Sequence, residues 1–318
     1  MKTRSAILKA PGKFELTETE LSPKGEQVLV KVAVCGLCNW ELNHWKGLLG
    51  SFPQTLGHEW SGTVVELGED VKELKVGDNV TVLPDSLSGF SEYALAGENN
   101  CCKLAPGINP KYALGEPLKC IVTVLRGAAP EAGDNAVIQG CGPMGLWCVQ
   151  ALSKGFMSSI IALDIDDDKI ELAKKFGATH IINTKKEDAV KAISDITHGN
   201  MADFVIEGTG VPALLNSAQK YLKSTGRGRL ILMSSHEESC REFDFRSAIE
   251  KSAQIIVPHP KFSQDPMDDL RRAVALLNEG TFKVEEIISH TFPLSDIQTA
   301  FETLENKPAG YLKGIVIP

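Results

Sequence analysis

The sequence predicts an α/β protein built as a small β-rich domain and a doubly wound parallel sheet, and three observations predict it. The first third of the chain reads as short β-branched runs separated by turn signals. From Asp134 onward, short apolar runs alternate with segments of helical period. After Pro258 the chain returns to a helix, a strand, a helix and a terminal strand.

The early strands are "RSAILKA", "KFELTETEL", "QVLVKVAV", "SGTVVELGE", "NVTVLPD" and "SEYALAG", punctuated by "SPKGE" and "KVGDN". β-branched enrichment and glycine turns of this kind fit a small barrel or sandwich better than a helical domain. In the second region "NAVIQG", "SIIALDI", "HIINT", "ADFVIEGTG", "RLILMSS" and "AQIIVPH" read as six buried strands. The intervening "PMGLWCVQALSKG", "DDKIELAKKFG", "EDAVKAISDIT" and "ALLNSAQKYLKS" read as helices. Nearly continuous apolar strands need cover on both faces, which a parallel sheet between helix layers supplies. The closing segments are "MDDLRRAVALLNEG", "IISHTFPL", "SDIQTAFETLEN" and "KGIVIP".

Composition narrows the function. The chain has 318 residues, 43% hydrophobic and 23% charged, with a formal charge of −8 and no basic run, so a phosphate-tracking surface for nucleic acid has no source. The start, "MKTRSAILKAPGKFEL", lacks the apolar stretch of a signal peptide, and nowhere do about 18 apolar residues run together. A soluble, cytoplasmic protein acting on a small molecule, without a membrane partner, is the expectation. Eight cysteines scattered over this length do not form the dense framework of a small secreted domain.

"VIQGCGPMG" sets Gly140, Gly142 and Gly145 in GxGxxG spacing between a strand and a helix. The glycines allow a tight turn, close approach to a pyrophosphate and tight helix–strand packing, while the helix N-terminus offers N–H groups and partial positive charge. Pro143 and Met144 belong to the same turn. The next strand ends on Asp164, 24 residues after Gly140, where a carboxylate can bind both ribose hydroxyls and repel a 2′-phosphate. Ile165, Asp166, Asp167 and Asp168 follow with no arginine, which favours NAD over NADP. Gly208 and Thr209, ending the fourth strand of this region, complete the cofactor-contacting candidates.

A second cluster spans "VCGLCNWELNHW" and "LGHEWSG", with His58 and Glu59 placed 20 and 21 residues after Cys38. Thiolate, imidazole and carboxylate suit a four-coordinate zinc with one open position. "GEPLKC" adds Glu116. Singly, each has another reading: Cys38 as a small buried hydrophobe, His58 as a hydrogen-bonded core residue, Glu116 as a helix N-terminal charge. Cys35 and Cys38, spaced CxxC, also fit a redox pair.

Together, "CGLCNWELNHWKG", "GHEWSGTVVELGEDVKELKVGDNV", "GEPL", "GCGPMG" and "GRLILM" resemble the zinc-dependent medium-chain dehydrogenase/reductase (alcohol dehydrogenase) family, closest to its polyol (sorbitol) and threonine dehydrogenase branch. The resemblance runs over essentially the whole chain. It implies a GroES-like β-barrel catalytic domain at 1–121 and 259–318, and a Rossmann NAD-binding domain at 122–258. It also implies a catalytic zinc on Cys38, His58 and Glu59, with Glu116 reaching the metal directly or through water, and a dimer or tetramer.

Two departures stand out. Where relatives often insert a four-cysteine lobe for a structural zinc, "LPDSLSGFSEY" has no cysteine, and Cys101 and Cys102 alone cannot close a tetrahedral site, so one zinc per chain is expected. Where relatives relay the alcohol proton through a hydroxyl and a histidine, this chain has Trp40 and Asn43. Indole is only a donor, and an amide does not titrate near neutrality. The proton must leave through Glu59 or Glu116 and bound water, or through His44, which a helix turns about 100° from Asn43. Trp40 then narrows the pocket toward a compact or ring-shaped alcohol. The reading is NAD-dependent oxidation of a secondary alcohol: a polyol, cyclitol, sugar derivative or amino alcohol. The alternatives are a zinc-free quinone or enone reductase on the same fold, and a cofactor-binding protein without turnover.

Overall fold

A computed structural model describes residues 1–235, 240 and 242–318. The chain divides into two compact units, Met1–Lys119 with Leu270–Pro318, and Cys120–Asp269. Among the described residues no helix is long and apolar enough to cross a membrane.

In the first unit the strands are β1 (Lys2–Ala10), β2 (Lys13–Glu20) and β3 (Gln27–Gly36), followed by the short helix α1 (Asn39–Trp45) and then β4 (Gln54–Thr55), β5 (Trp60–Leu67), β6 (Asn79–Val82), β7 (Tyr93–Gly97) and β8 (Cys101–Lys103). Helix α2 (Gly115–Ala128) leads out of this unit. Strand β1 alternates in burial, with Ala6 and Leu8 facing inward, as a half-buried strand should. It joins β2 and β4 in a three-stranded sheet.

The second unit carries β9 (Asn135–Gln139), α3 (Pro143–Leu152), β10 (Ser159–Asp164), α4 (Asp167–Lys175), β11 (His180–Asn183), α5 (Ala189–Ile196), β12 (Phe204–Glu207), α6 (Leu215–Tyr221), β13 (Arg229–Leu232), α7 (Phe245–Glu250) and β14 (Gln254–Ile256). All six strands are parallel, in the order β11-β10-β9-β12-β13-β14. The six apolar runs of the sequence are these six strands. Asp166 and Asp188 cap α4 and α5 by accepting from the N–H groups of Asp168 and of Val190 and Lys191, which satisfies donors that the first helical turn leaves without partners. The order reverses at β9, so the turn after β9 lies at the switch point where open α/β sheets bind ligands.

Helix α8 (Pro266–Asn278) brings the chain back, followed by β15 (Ile288–Pro293), α9 (Ile297–Asn306) and β16 (Lys313–Ile317). The larger sheet of the first unit runs β15-β16-β3-β5-β6-β8, with β7 also paired to β3. Its core gathers Leu8, Val30, Trp60 and Phe90 around Phe301 of α9. This is the barrel-plus-parallel-sheet α/β architecture that the sequence predicts.

Candidate functional site

The metal-binding candidates converge because of strand register. Strand β3 ends at Gly36, and Cys38 follows as the extended N-cap of α1, so its thiol sits on the corner between strand and helix. Strand β5 pairs Trp60 with Cys35, and the Gly36 N–H donates to the Glu59 carbonyl at 2.8 Å. Residues 58 and 59 therefore lie beside the Cys38 corner. A Cβ on Gly36 would stand 2.1 Å from Glu59 Oε2, so only glycine leaves room for that carboxylate. Cys38, His58 and Glu59 each offer a ligand atom, and these atoms lie within 4.8 Å of one another.

Three residues that the sequence did not single out organise the group. Glu41, fully buried on α1, accepts from His58 Nδ1 at 2.8 Å and from the backbone N–H groups of Gly57 and His58 at 2.6 and 3.1 Å. A ring whose Nδ1 is engaged this way presents Nε2 as its free donor atom, as metal-binding histidines require. Lys313 of β16 reaches Glu59 Oε2 at 2.6 Å and the Leu37 carbonyl at 2.9 Å. Lys119, one turn along α2 from Glu116, donates to Glu116 Oε1 at 2.9 Å, while Glu116 Oε2 lies 3.8 Å from His58 Nε2. Glu41 at least stood within "CNWELNHW". Lys313, 254 residues beyond Glu59, carries no local signal, and Lys119 reads as an ordinary helical lysine.

Electrostatics test whether a cation fits. Burial works to lower the His58 pKa, yet Glu41 and the hydrogen bonds to Cys38 and Glu41 outweigh it and hold the imidazole well above its ordinary value. Burial raises the Glu59 carboxyl and wins over Lys313 beside it. Burial opposes the Lys313 ammonium, but Glu59 and Cys38 reverse that and raise its pKa. The pocket thus has a surplus of acceptors and draws positive charge toward His58. A thiolate, an imidazole with its outer nitrogen fixed and a carboxylate form a donor set suited to zinc.

Trp40 stands with its ring edge-on to His58, centroids 5.4 Å apart, and to His44 at 4.4 Å. His44 is buried, with Nδ1 2.9 Å from Gln54 Oε1 and no hydrogen-bond partner at Nε2. The indole touches both imidazole rings. Asn43 lies between Trp40 and His44 in sequence on α1. Cys35 is fully buried, and burial, with Glu41 and Glu59 nearby, pushes its thiol well above the ordinary range. That is the opposite of the exposed, thiolate-rich cysteine that a redox pair needs. Cys101 and Cys102 are partly buried free thiols.

In the second unit, Gly140 takes φ +99° and donates to the Leu163 carbonyl, folding the chain sharply after β9. A Cβ on Gly145 would lie 2.0 Å from the Gly140 carbonyl oxygen, so α3 can approach the turn only with glycine there. At Gly142, the N-cap of α3, a Cβ would meet nothing within 4 Å. Pro143 and Met144 open the helix. Asp164 ends β10, with Oδ2 accepting from Cys141 N–H at 2.7 Å and Oδ1 from the N–H groups of Ile165 and Asp166 at 2.7 and 3.1 Å. A carboxylate carries about four acceptor positions, so room remains for a hydroxyl donor. Gly208 and Thr209 pack against Gly140, and Thr209 hydrogen-bonds Glu207 through both its N–H and its hydroxyl. The helix N-terminus, the open glycine and the terminal carboxylate are the parts that a dinucleotide needs.

Comparison with known proteins agrees with this geometry. The family model of the alcohol dehydrogenase GroES-like domain matches residues 24–129, and that of zinc-binding dehydrogenases matches residues 143–272. The D-arabitol-phosphate dehydrogenase of Enterococcus avium is 30% identical, over 95% of this chain and 94% of its own. The L-threonine 3-dehydrogenase of Bacillus licheniformis is 29% identical, over 98% of each. The crystal structure of the 2R,3R-butanediol dehydrogenase from Bacillus subtilis superimposes with a TM-score of 0.86 at 26% identity, covering 99% of both chains. The chain belongs to the zinc-dependent medium-chain alcohol dehydrogenase family.

Proposed function

We propose that this dehydrogenase oxidises a secondary alcohol, of the polyol, cyclitol, sugar or amino-alcohol class, with NAD as hydride acceptor. The observation that carries the reading is the grouping of Cys38, His58 and Glu59 ligand atoms within 4.8 Å, in a chain whose relatives include polyol and threonine dehydrogenases. Residues 1–121 and 259–318 form the catalytic domain in this reading, and 122–258 the nucleotide domain.

Cys38, His58 and Glu59 would hold zinc, which would supply Lewis-acid polarisation of the alcohol oxygen. Glu41 fixes the His58 tautomer. Lys313 orients Glu59 and offsets its charge. NAD, when bound, would accept the hydride released from the alcohol carbon, and Glu116 Oε2, 3.8 Å from His58 Nε2, is placed to take the hydroxyl proton and pass it to water. Trp40, 38% exposed beside His58, supplies a flat wall that favours compact or ring-shaped alcohols. The indole packs edge-on to both His44 and His58, which supports the carboxylate route over His44.

Asp164, together with Asp166 and Asp167, sets the preference for NAD: Lys169 and Lys186 are already paired to Asp166 and Asp167, so a 2′-phosphate meets net negative charge. A homo-oligomer is part of the reading, through the edge strand β14, which exposes Ile255 and is followed by exposed Val257. A cytoplasmic location completes it.

The test is metal analysis with a panel of alcohols. The expected outcome is about one zinc per chain after dialysis against a weak chelator, and NADH formed at least about 100-fold more efficiently than NADPH. Two zinc ions, none after expression in ample zinc, or equal use of both cofactors defeats it.

A further inference from the structure

We infer that Lys119 is a positioning residue that holds Glu116 back from the metal, so that zinc rests on Cys38, His58 and Glu59 while Glu116 stays outside the coordination shell. The inference rests on the proposed zinc site and adds a residue to it.

Glu116 and Lys119 occupy the first turn and a half of α2, three residues apart, and so share one helix face. Both are buried, at 9% and 3% exposure. A lysine that deep in a protein needs an anionic partner, and its Nζ donates to Glu116 Oε1 at 2.9 Å. The two oxygens of Glu116 are thereby divided: Oε1 faces the ammonium, and Oε2 faces His58 Nε2 at 3.8 Å. A carboxylate sharing its charge with an ammonium is a poorer metal donor. The ammonium also adds a like charge near any cation at His58, which opposes a close approach. Glu59 has a lysine as well, but the two arrangements differ. Lys313 grips the carboxylate of a residue whose backbone is locked to Gly36 across the sheet, whereas Glu116 stands at the start of a helix, with only its side chain reaching toward His58.

Four protein donors would close the coordination shell, leaving substrate no position. A carboxylate kept just outside the shell leaves that position open. Lys119 keeps it there.

The test compares zinc affinity, by competition with a chromophoric chelator, and the visible spectrum of the cobalt-substituted protein. The variants are K119M, K119R, E116Q and K119M/E116Q, each checked for native circular dichroism. K119M is expected to bind zinc on the order of tenfold more tightly and to show a changed cobalt spectrum, as Glu116 joins the shell. K119R should match wild type, and K119M/E116Q should lose the gain. E116Q alone should keep zinc affinity within a few-fold. If K119M does not fold, E116Q decides: a loss on the order of 100-fold makes Glu116 a full ligand and overturns the inference. Unchanged or weaker zinc binding by folded K119M overturns it too, as does a gain that persists in K119M/E116Q. Wild-type protein that takes up no zinc defeats the zinc reading itself, an outcome distinct from these.

Discussion

Glu41 shows how much of the site depends on a residue that cannot touch the reacting atoms. Its carboxylate binds the His58 ring and two backbone N–H groups at once, so it fixes both the imidazole and the loop that carries it. Glu41→Gln keeps an acceptor but loses the charge, and should weaken zinc binding by roughly 10- to 100-fold while leaving the fold intact. Chelator competition measures it; an unchanged affinity would make Glu41 a packing residue. The sequence named Cys38, His58, Glu59 and Glu116, because a thiol, a GHE triplet and an EPL turn are local patterns. It did not name Lys313 or Lys119. The pairing of Lys313 with Glu59 arises only when β16 lies against β3, and no spacing along the chain encodes that contact.

Among the elements, the strands were the most legible. The runs from "NAVIQ" to "AQIIV" declare themselves by continuous β-branched apolar character, and each became a strand of the parallel sheet. Loops were less legible, since their order depends on single side chains reaching back. Glu98 is one such side chain: its carboxylate accepts from the N–H groups of Lys72, Glu73 and Leu74, pinning the segment between β5 and β6. Burial alone would raise the Glu98 carboxyl, but those backbone donors favour the charged form and bring it below its ordinary value. The folded chain therefore binds this proton less tightly than the unfolded chain. The stabilisation is complete above the unfolded pKa and disappears as pH falls through the folded one. Glu98→Gln should lower the melting temperature by a few degrees at neutral pH, and the gap to wild type should close below about pH 4. Thermal unfolding of both proteins across that range checks it; a gap independent of pH would mean the charge is not involved.

At the scale of the whole molecule, the order β11-β10-β9-β12-β13-β14 leaves β14 as an edge, with apolar side chains in reach of another chain. Replacing Ile255 with lysine should shift sedimentation toward the monomer, since a charge on an edge strand resists pairing. Unaltered sedimentation would move the oligomer contact elsewhere. The contact between Glu59 and Lys313 has a temporal consequence as well. The two are separated by 254 residues, and a ribosome adding about 5–20 residues each second needs roughly 10–50 s to cover that distance. The second unit, Cys120–Asp269, is continuous in the chain and is made entirely within that interval. The nascent protein thus displays Cys38, His58 and Glu59 long before the lysine that completes their surroundings exists. Metal acquired during synthesis would meet a different pocket from metal acquired after release.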